Sequence, residues 1–592
     1  MRTRTAGEPP APAALARLVP AASWLPHYQR SWLTGDAVAG FTIWGLLIPE
    51  MIAYASLAGL PPQAGLYTLL ASLVLYALFG TSRQLVVAGT SASAILVFSA
   101  VTALKPANPA AYATLAAGMI IFTGLIFIVA GLLRLGFITA FLSRPVMVGF
   151  VFGLAIFVTV SQLPKLFGVK KGPGGTIHQF VYLIGHLGDT SLATFAVGAV
   201  ALVLLFALER YLPRVPGGLV VLVLAIVISA GFGLSGHGVE VVGKIPTGLP
   251  SVSWPHVTVS QLWVLLPSAG GMMLVIFSEA LGAGQTFADK HGYQLHNSQE
   301  MIALGLANLG SGVLGGLACG GSLSQTAVND GAGARSELSP IIAAALSLVT
   351  VIALTPLFTD LPEAVLAALI IHAVSHLMRV GEMRRFYRLV PREFWLGVLT
   401  LAGVIVLDVL PGLLLGVATS LVLLIYRSSR PQISILGADR SMPGAFEDIR
   451  RQPDAVPVPG VLIVRPDATL FYANAQLVRD AVEHAVAASP GQVHVVVLDL
   501  DANDDLDITS TEQLEKLTDH LHARHIAFGI AHMHDPALQV ARRSGLLAKI
   551  GPGNVFETTP AAVAWGQARM AEHGQEQQVK PAAEPPEGTA GG

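Results

Sequence analysis

Ala88-Gly89-Thr90-Ser91-Ala92-Ser93 and Gly320-Gly321-Ser322-Leu323-Ser324-Gln325-Thr326 decide how this chain folds. Each is a short polar, small-residue cluster inside an otherwise apolar stretch, one in each half of the chain. Ser and Thr favour helix starts, where the first backbone amides have no partner within the helix. A matched pair of interrupted apolar segments marks a solute site near the middle of a membrane.

The surroundings agree with that reading. Of 592 residues, 53% are hydrophobic and 12% charged, against roughly 25% charged in soluble domains. The low-charge part runs from about Asp36 to Tyr426, and stretches of about 20 apolar residues recur in it, long enough to cross a bilayer. Hydropathy places spans at 37–57, 63–79, 86–104, 111–133, 145–164, 190–209 and 216–235 in the first half. The second half has 263–287, 299–318, 323–334, 338–358, 362–378, 394–410 and 411–427. Each polar cluster opens the third span of its half. An odd number of spans per half turns the halves over relative to one another, giving an inverted repeat. The piece 323–334 is too short and polar to face lipid, so it is expected to face an internal cavity.

Positive charge sets the orientation. Arg83, Arg134, Arg144, Arg210 and Arg214 follow even-numbered spans. So do Arg379, Arg384, Arg385, Arg388, Arg392, Arg427 and Arg430. Both termini are therefore expected in the cytoplasm, with the protein in the cell membrane. Lys165, Lys170 and Lys171 fall on the outer side and break the pattern. Residues 1–30 read as a cytoplasmic tail, and 31–428 as the membrane domain. Residues 429–455 read as a linker, 456–571 as a small α/β domain, and 572–592 as a disordered end rich in Ala, Pro, Glu and Gly.

A helix start carries about half a positive charge along with its unpaired N–H groups. Two such starts brought together bind an anion without lysine or arginine. Gly89, Thr90, Ser91, Ala92, Ser322, Leu323, Ser324, Gln325 and Thr326 are the candidate wall residues, with Ser93 as a further hydroxyl. A bilayer-centre carboxylate costs about 2.5–3.5 kcal/mol, so acids there need a reason. Glu279, deep in the eighth span, is the candidate coupling-ion or proton site. Glu50 beside Pro49, and Tyr54 one helical turn on, are candidate cavity residues. Asp408 reads as a capping residue, and Asp289 and Lys290 as groups that meet water.

The motifs resemble the SulP anion transporter family. Asp36-Ala37-Val38-Ala39-Gly40 with Ile48-Pro49-Glu50-Met51-Ile52-Ala53-Tyr54-Ala55-Ser56-Leu57-Ala58-Gly59-Leu60-Pro61-Pro62 is similar to its first-span signature. Ser322-Leu323-Ser324-Gln325-Thr326-Ala327-Val328-Asn329 is similar to its tenth span, and the tail resembles a STAS domain. The resemblance implies fourteen spans as a seven-plus-seven inverted repeat, with a core domain of spans 1–4 and 8–11. Spans 5–7 and 12–14 then form a gate domain, and a cytoplasmic STAS domain follows. It also implies a homodimer that moves a small inorganic anion or dicarboxylate by elevator motion, through H+ or Na+ symport or exchange. Two positions depart: Glu50 stands where the family often has Gln, and Gln325 where it often has Arg. A less positive site disfavours a divalent anion.

In the tail, strand-like and helix-like stretches alternate. Asp507-Ile508-Thr509-Ser510-Thr511 opens a helix. Ser510 is the candidate regulatory phosphosite by similarity to anti-sigma-factor antagonists, and a cytoplasmic regulator would act there. The tail holds no Walker motif, nucleophile elbow or metal-spaced Cys/His set, so no cofactor, metal or enzymatic activity is expected. No basic face points to nucleic acid. An uncoupled anion channel, or a solute sensor signalling through the tail, is the alternative use of the same site.

Overall fold

The computed structural model describes residues 19–137, 143–212, 216–246, 248–252, 254–255 and 257–579. Most of the expected N-terminal tail, Arg214 and residues 580–592 lie outside the described residues. The chain divides into two units, Met1–Leu421 and Val422–Gly592.

The first unit is helical. Its first half contains α1 (Leu33–Leu57), α2 (Pro62–Phe79), β1 (Val87–Gly89), α3 (Ser91–Ala103) and α4 (Pro109–Leu132). It continues with α5 (Arg144–Phe167), α6 (Thr176–Gly185), α7 (Leu192–Tyr211) and α8 (Gly217–Phe232). The second half repeats the order with α9 (Val259–His291), α10 (Asn297–Val313), β2 (Cys319–Gly321), α11 (Leu323–Gly331) and α12 (Leu338–Val349). It ends with α13 (Glu363–Ser375), α14 (Val380–Leu389), α15 (Pro391–Leu407) and α16 (Val409–Ser428). Each span read from hydropathy is occupied by a helix. Among the described residues, nine helices are long and apolar enough to cross a membrane, and α3 and α8 are shorter apolar helices.

Three departures have local causes. α6 and α14 are short helices between spans that hydropathy does not show, and α14 carries Arg384, Arg385 and Arg388. The eleventh span does not stay α-helical to 358. After Val349 it widens into a π segment, Thr350–Leu354, and then tightens into a 3₁₀ turn, Thr355–Phe358. The indole N–H of Trp44 donates to Thr350 Oγ1 at 3.0 Å there. Lys290 does more than meet water, because it pairs with Asp330 of α11 and ties the C-terminal end of α9 to that helix.

Packing sorts the helices into two groups. α10 packs on α2 and α4, α12 on α1 and α2, and α9 on α4. α15 and α13 pack on α5, and α13 also on α7. The first set consists of helices from spans expected in the core and the second of helices from spans expected in the gate, with α13 and α8 also touching α1. Small residues allow the backbones to approach. A Cβ on Gly124 of α4 would come within 2.7 Å of the Gly305 carbonyl of α10. Phe127 of α4 meets Phe277 of α9 edge-on, with centroids 6.3 Å apart.

The second unit is a mixed sheet. β3 (Ile433–Asp439), β4 (Phe446–Asp448), β5 (Ala455–Val456) and β6 (Val461–Pro466) come first. Then follow α17 (Ala475–Ala488), β7 (Val495–Asp499), α18 (Ile508–Ala523) and β8 (Ala527–Ala531). The unit closes with α19 (Asp535–Ser544), α20 (Leu546–Ile550), β9 (Val555–Phe556) and α21 (Thr559–Val579). The strand order is β4-β3-β6-β7-β8-β9, with β5 paired to β3. Segment 429–455, expected as a linker, instead supplies the sheet edge. β3 alternates buried and half-buried residues and pairs antiparallel with β6 from Ile433↔Pro466 to Leu436↔Ile463. Its prolines and charges lie in turns and short edge strands, which disguised it. Likewise 572–579, expected to be disordered, continue α21. On β7, burial alone would push the Asp499 carboxyl up. Hydrogen bonds from His532, Arg465 and Thr559 hold it below the usual carboxylate range.

Candidate functional site

The two polar clusters meet. β1 and β2 pair antiparallel, with Val87 opposite Gly321, Ala88 opposite Gly320 and Gly89 opposite Cys319. All six residues are buried. Three-residue strands cannot hold such a register alone, and side chains from neighbouring helices pin it. Cys319 N–H donates to Asn308 Oδ1 at 3.0 Å, and Asn308 Nδ2 donates to the Cys319 carbonyl at 2.8 Å. Leu317 N–H donates to Thr68 Oγ1 at 2.6 Å. Cys319 is thus a buried packing residue whose backbone is the part in use.

Each strand runs straight into a helix start. Thr90 caps α3 in a reciprocal box, with Ser93 N–H to Thr90 Oγ1 and Thr90 N–H to Ser93 Oγ, both at 3.1 Å. Ser322 caps α11 by accepting from Gln325 N–H. A cap uses the N–H three residues into the helix and leaves the earlier ones without a helical partner. The open donors are therefore the backbone N–H groups of Ser91 and Ala92 on one side, and of Leu323 and Ser324 on the other. These four carry the partial positive charge of both helix ends.

Gln325 joins the two sides. Its Nε2 donates to Glu50 Oε2 of α1 at 2.8 Å and reaches the Gly89 carbonyl at 3.5 Å. Its Oε1 is buried and has no hydrogen-bond partner. Thr326 Oγ1 accepts from Val86 N–H at 3.1 Å and donates to the Ser322 carbonyl at 2.6 Å. Thr326 is therefore used up in holding the bridge and does not line open space. Tyr54 is buried on α1, one turn from Glu50. Glu279 is half-buried on α9, the helix that packs on β2. The two clusters and Glu50 thus come together at the β1–β2 bridge.

Other buried acids brace the unit and were not singled out from sequence. Asp36 accepts from Arg335 N–H at 2.7 Å and Ser336 Oγ at 2.7 Å, tying α1 to the segment after α11. Glu300 of α10 accepts from Tyr76 at 2.7 Å and from both Thr81 N–H and Oγ1. Asp and Glu near helix ends in a signature such as Asp36-Ala37-Val38 carry that signal, but their partners lie hundreds of residues away. Asp408 caps α16, its Oδ1 accepting from Val409 N–H at 2.7 Å. Lys165, one of the three lysines that break the charge pattern, donates to Ser56 of α1 at 2.8 Å. It also pairs with Glu363 of α13 at 3.0 Å. It joins the two helix groups beside a cavity of about 470 Å³ that Lys170 and Lys171 also line. Phe98 lies under the Lys171 ammonium at 4.9 Å, and burial together with the Lys165 charge lowers the Lys171 pKa.

In the second unit, Ser510 is fully buried with its Oγ unpartnered. Asp507 caps α18 by accepting from Ser510 N–H at 2.7 Å. Neither Ser510 nor Thr511 is the cap, and modification of Ser510 requires the start of α18 to open.

Two opposed sets of seven helical segments, with the third of each half broken by a short strand and a capped helix start, define an inverted-repeat transporter fold. The pattern described as the sulfate permease family matches residues 33–400, and the STAS domain pattern matches 452–562. The chain belongs to the sulfate permease family and ends in a STAS domain. It is 35% identical over 551 residues to a protein of Mycobacterium tuberculosis described as a probable sulfate transporter, covering 92% of this chain and 98% of that one. It is 33% identical over 500 residues to human solute carrier family 26 member 6, covering 80% and 65%. Among solved structures, the murine Slc26a9 anion transporter in its inward-facing state superposes with a TM-score of 0.87. That match is 24% identical and covers 96% of each chain. The transmembrane domain of the cyanobacterial bicarbonate transporter BicA superposes at 0.58, with 25% identity, over 66% of this chain and 98% of that one.

Proposed function

We propose that this protein is a secondary transporter that carries a small anion across the cell membrane. The β1–β2 bridge carries this reading, because it holds the starts of α3 and α11 together with four open backbone donors. The family, and relatives described as sulfate, anion and bicarbonate transporters, support an anionic solute. The anion binds the N–H groups of Ser91, Ala92, Leu323 and Ser324. The Ser322 and Ser324 hydroxyls add ligands, and Gly89 and Thr90 shape the opposite wall. Gln325 gives no fixed positive charge and is engaged with Glu50, so the site suits a singly charged anion such as bicarbonate or chloride better than sulfate. The group containing α1–α4 and α9–α12 carries the anion past the group containing α5, α7, α8, α13, α15 and α16. Glu279 takes up the coupling ion, a proton or sodium. Both termini lie in the cytoplasm, the protein works as a homodimer, and the STAS domain receives a cytoplasmic regulator.

Uptake by proteoliposomes tests this. Bicarbonate, chloride and sulfate are each supplied with and without a proton or sodium gradient. Saturable, gradient-driven uptake of a monovalent anion is expected, and Glu279→Gln removes the gradient dependence. No saturable flux of any of the three overturns the reading. Linear currents indifferent to the gradient assign the same site to a channel.

A further inference from the structure

α7 and α13 pack side by side and bring three ligand-type side chains to one point. Glu209 stands in the last turns of α7, His372 lies in α13, and His376 caps the end of α13. His372 Nε2 is 2.9 Å from Glu209 Oε2, and His376 Nε2 is 3.4 Å from the same oxygen. One donor atom from each of the three lies within 4.8 Å of the other two.

Residues four apart on a helix share a face, so both imidazoles can serve one ion. Zinc holds imidazole and carboxylate ligands at about 2.0–2.2 Å in tetrahedral geometry, which sets its donor atoms roughly 3.3 Å apart. The three donors are therefore already close to coordination spacing. The Phe206 ring packs edge-on against His372 at 4.9 Å and fixes one imidazole. Glu209 and His376 are about half exposed, with side-chain exposures of 48% and 49%. Water can thus take the fourth position. Arg379, next along the chain, is directed to Glu382 at 3.3 Å and leaves the carboxylate of Glu209 to the histidines.

We propose that Glu209, His372 and His376 form a binding site for a divalent transition-metal ion of the zinc class, which joins α7 of the first half to α13 of the second. The ion would staple the two halves together within the expected gate group, at its end proposed above as cytoplasmic. The pairing of His372 and His376 is visible in the sequence as His-x-x-x-His. The carboxylate comes from 163 residues away and only the fold supplies it.

Zinc chloride titrated into the full-length protein in detergent, followed by calorimetry and thermal unfolding, tests the site. One ion per chain and a raised unfolding midpoint are expected. The His372→Gln/His376→Gln double variant should lose at least about tenfold in affinity. X-ray absorption of the zinc-loaded protein should show two imidazole nitrogens and one carboxylate oxygen at about 2.0–2.2 Å. His376→Gln alone, at a half-exposed position, gives the same check if the double variant does not fold. No saturable binding, or an affinity unchanged in the variants, overturns the proposal.

Discussion

At the start of α3 the hydroxyls turn inward, and at the start of α11 they turn outward. Thr90 and Ser93 bond to one another, and Ser93 also donates to the Ala318 carbonyl at 2.8 Å. Ser93 is wholly buried. Ser322 and Ser324 bond to each other at 3.0 Å, Ser322 also accepts from Gln325 N–H, and Leu323 and Ser324 are exposed. The two clusters look alike as sequence, yet one is braced internally, and the proposed function makes the other the reader of the solute. The first commits the Thr90 and Ser93 hydroxyls to the brace and leaves the backbone N–H groups and the Ser91 hydroxyl. The second offers N–H groups together with the exposed Ser324 hydroxyl. Two inverted repeats have kept the same chain path and divided the labour.

Ser93→Leu should break the brace. It removes the bond to Ala318 and puts a larger side chain into a site with no free space. Overpacking costs about 1–3 kcal/mol, and a stranded buried carbonyl about as much again. The unfolding midpoint of the purified protein should fall by several degrees or more, and uptake should disappear with it. A midpoint equal to wild type would show that the α3 start is not the brace.

Gln325 is where the two sides touch, so its replacement sharpens the contrast. Gln325→Ala leaves the Glu50 carboxylate half-buried without its amide donor. That bond is internal to the protein and contributes about 0.5–1.5 kcal/mol, up to about 3 when one partner is charged, so its loss should lower the unfolding midpoint by a few degrees. Apparent affinity for the transported anion should fall about tenfold as the freed Glu50 carboxylate disfavours an anion beside it. Gln325→Arg should instead place a guanidinium against Glu50 and move preference toward a divalent anion. Uptake of sulfate against chloride measures this. If Gln325→Ala transports like wild type, the α11 side is not the reader.

The contrast explains how much was legible beforehand. Hydropathy and small-residue clusters located the spans and both helix starts, because lipid forces long apolar runs and a helix start demands capping residues. The antiparallel pairing of Val87 with Gly321 was not legible, since strands this short carry no pattern of their own and depend on Asn308 and Thr68. The inward turn of Ser93 was hidden for the same reason: its partner, Ala318, lies 225 residues away. In the STAS domain, β3 was hidden for a different reason. Its polar flanks and the prolines around it read as a linker, although its own residues alternate in burial along the strand.

The smallest expected effect is also the cleanest separation of the two roles, because it compares two single-hydroxyl deletions. Thr90→Ala removes a helix cap, which costs about 1 kcal/mol of stability. Its hydroxyl is buried in the box with Ser93, so the anion should feel its loss only through a loosened α3 start. Ser324→Ala removes an exposed hydroxyl bonded to Ser322, which keeps its capping role. Stability should stay within about 0.5 kcal/mol of wild type, as for surface changes generally. Apparent affinity should fall several-fold, in line with about 0.5–1.5 kcal/mol for a neutral hydrogen bond. Thermal unfolding and uptake, measured on both variants, should therefore give opposite patterns: Thr90→Ala shifts the midpoint more than the affinity, and Ser324→Ala shifts the affinity and not the midpoint. Matching patterns in the two variants would mean that both helix starts do the same work, and the division between brace and reader would fall.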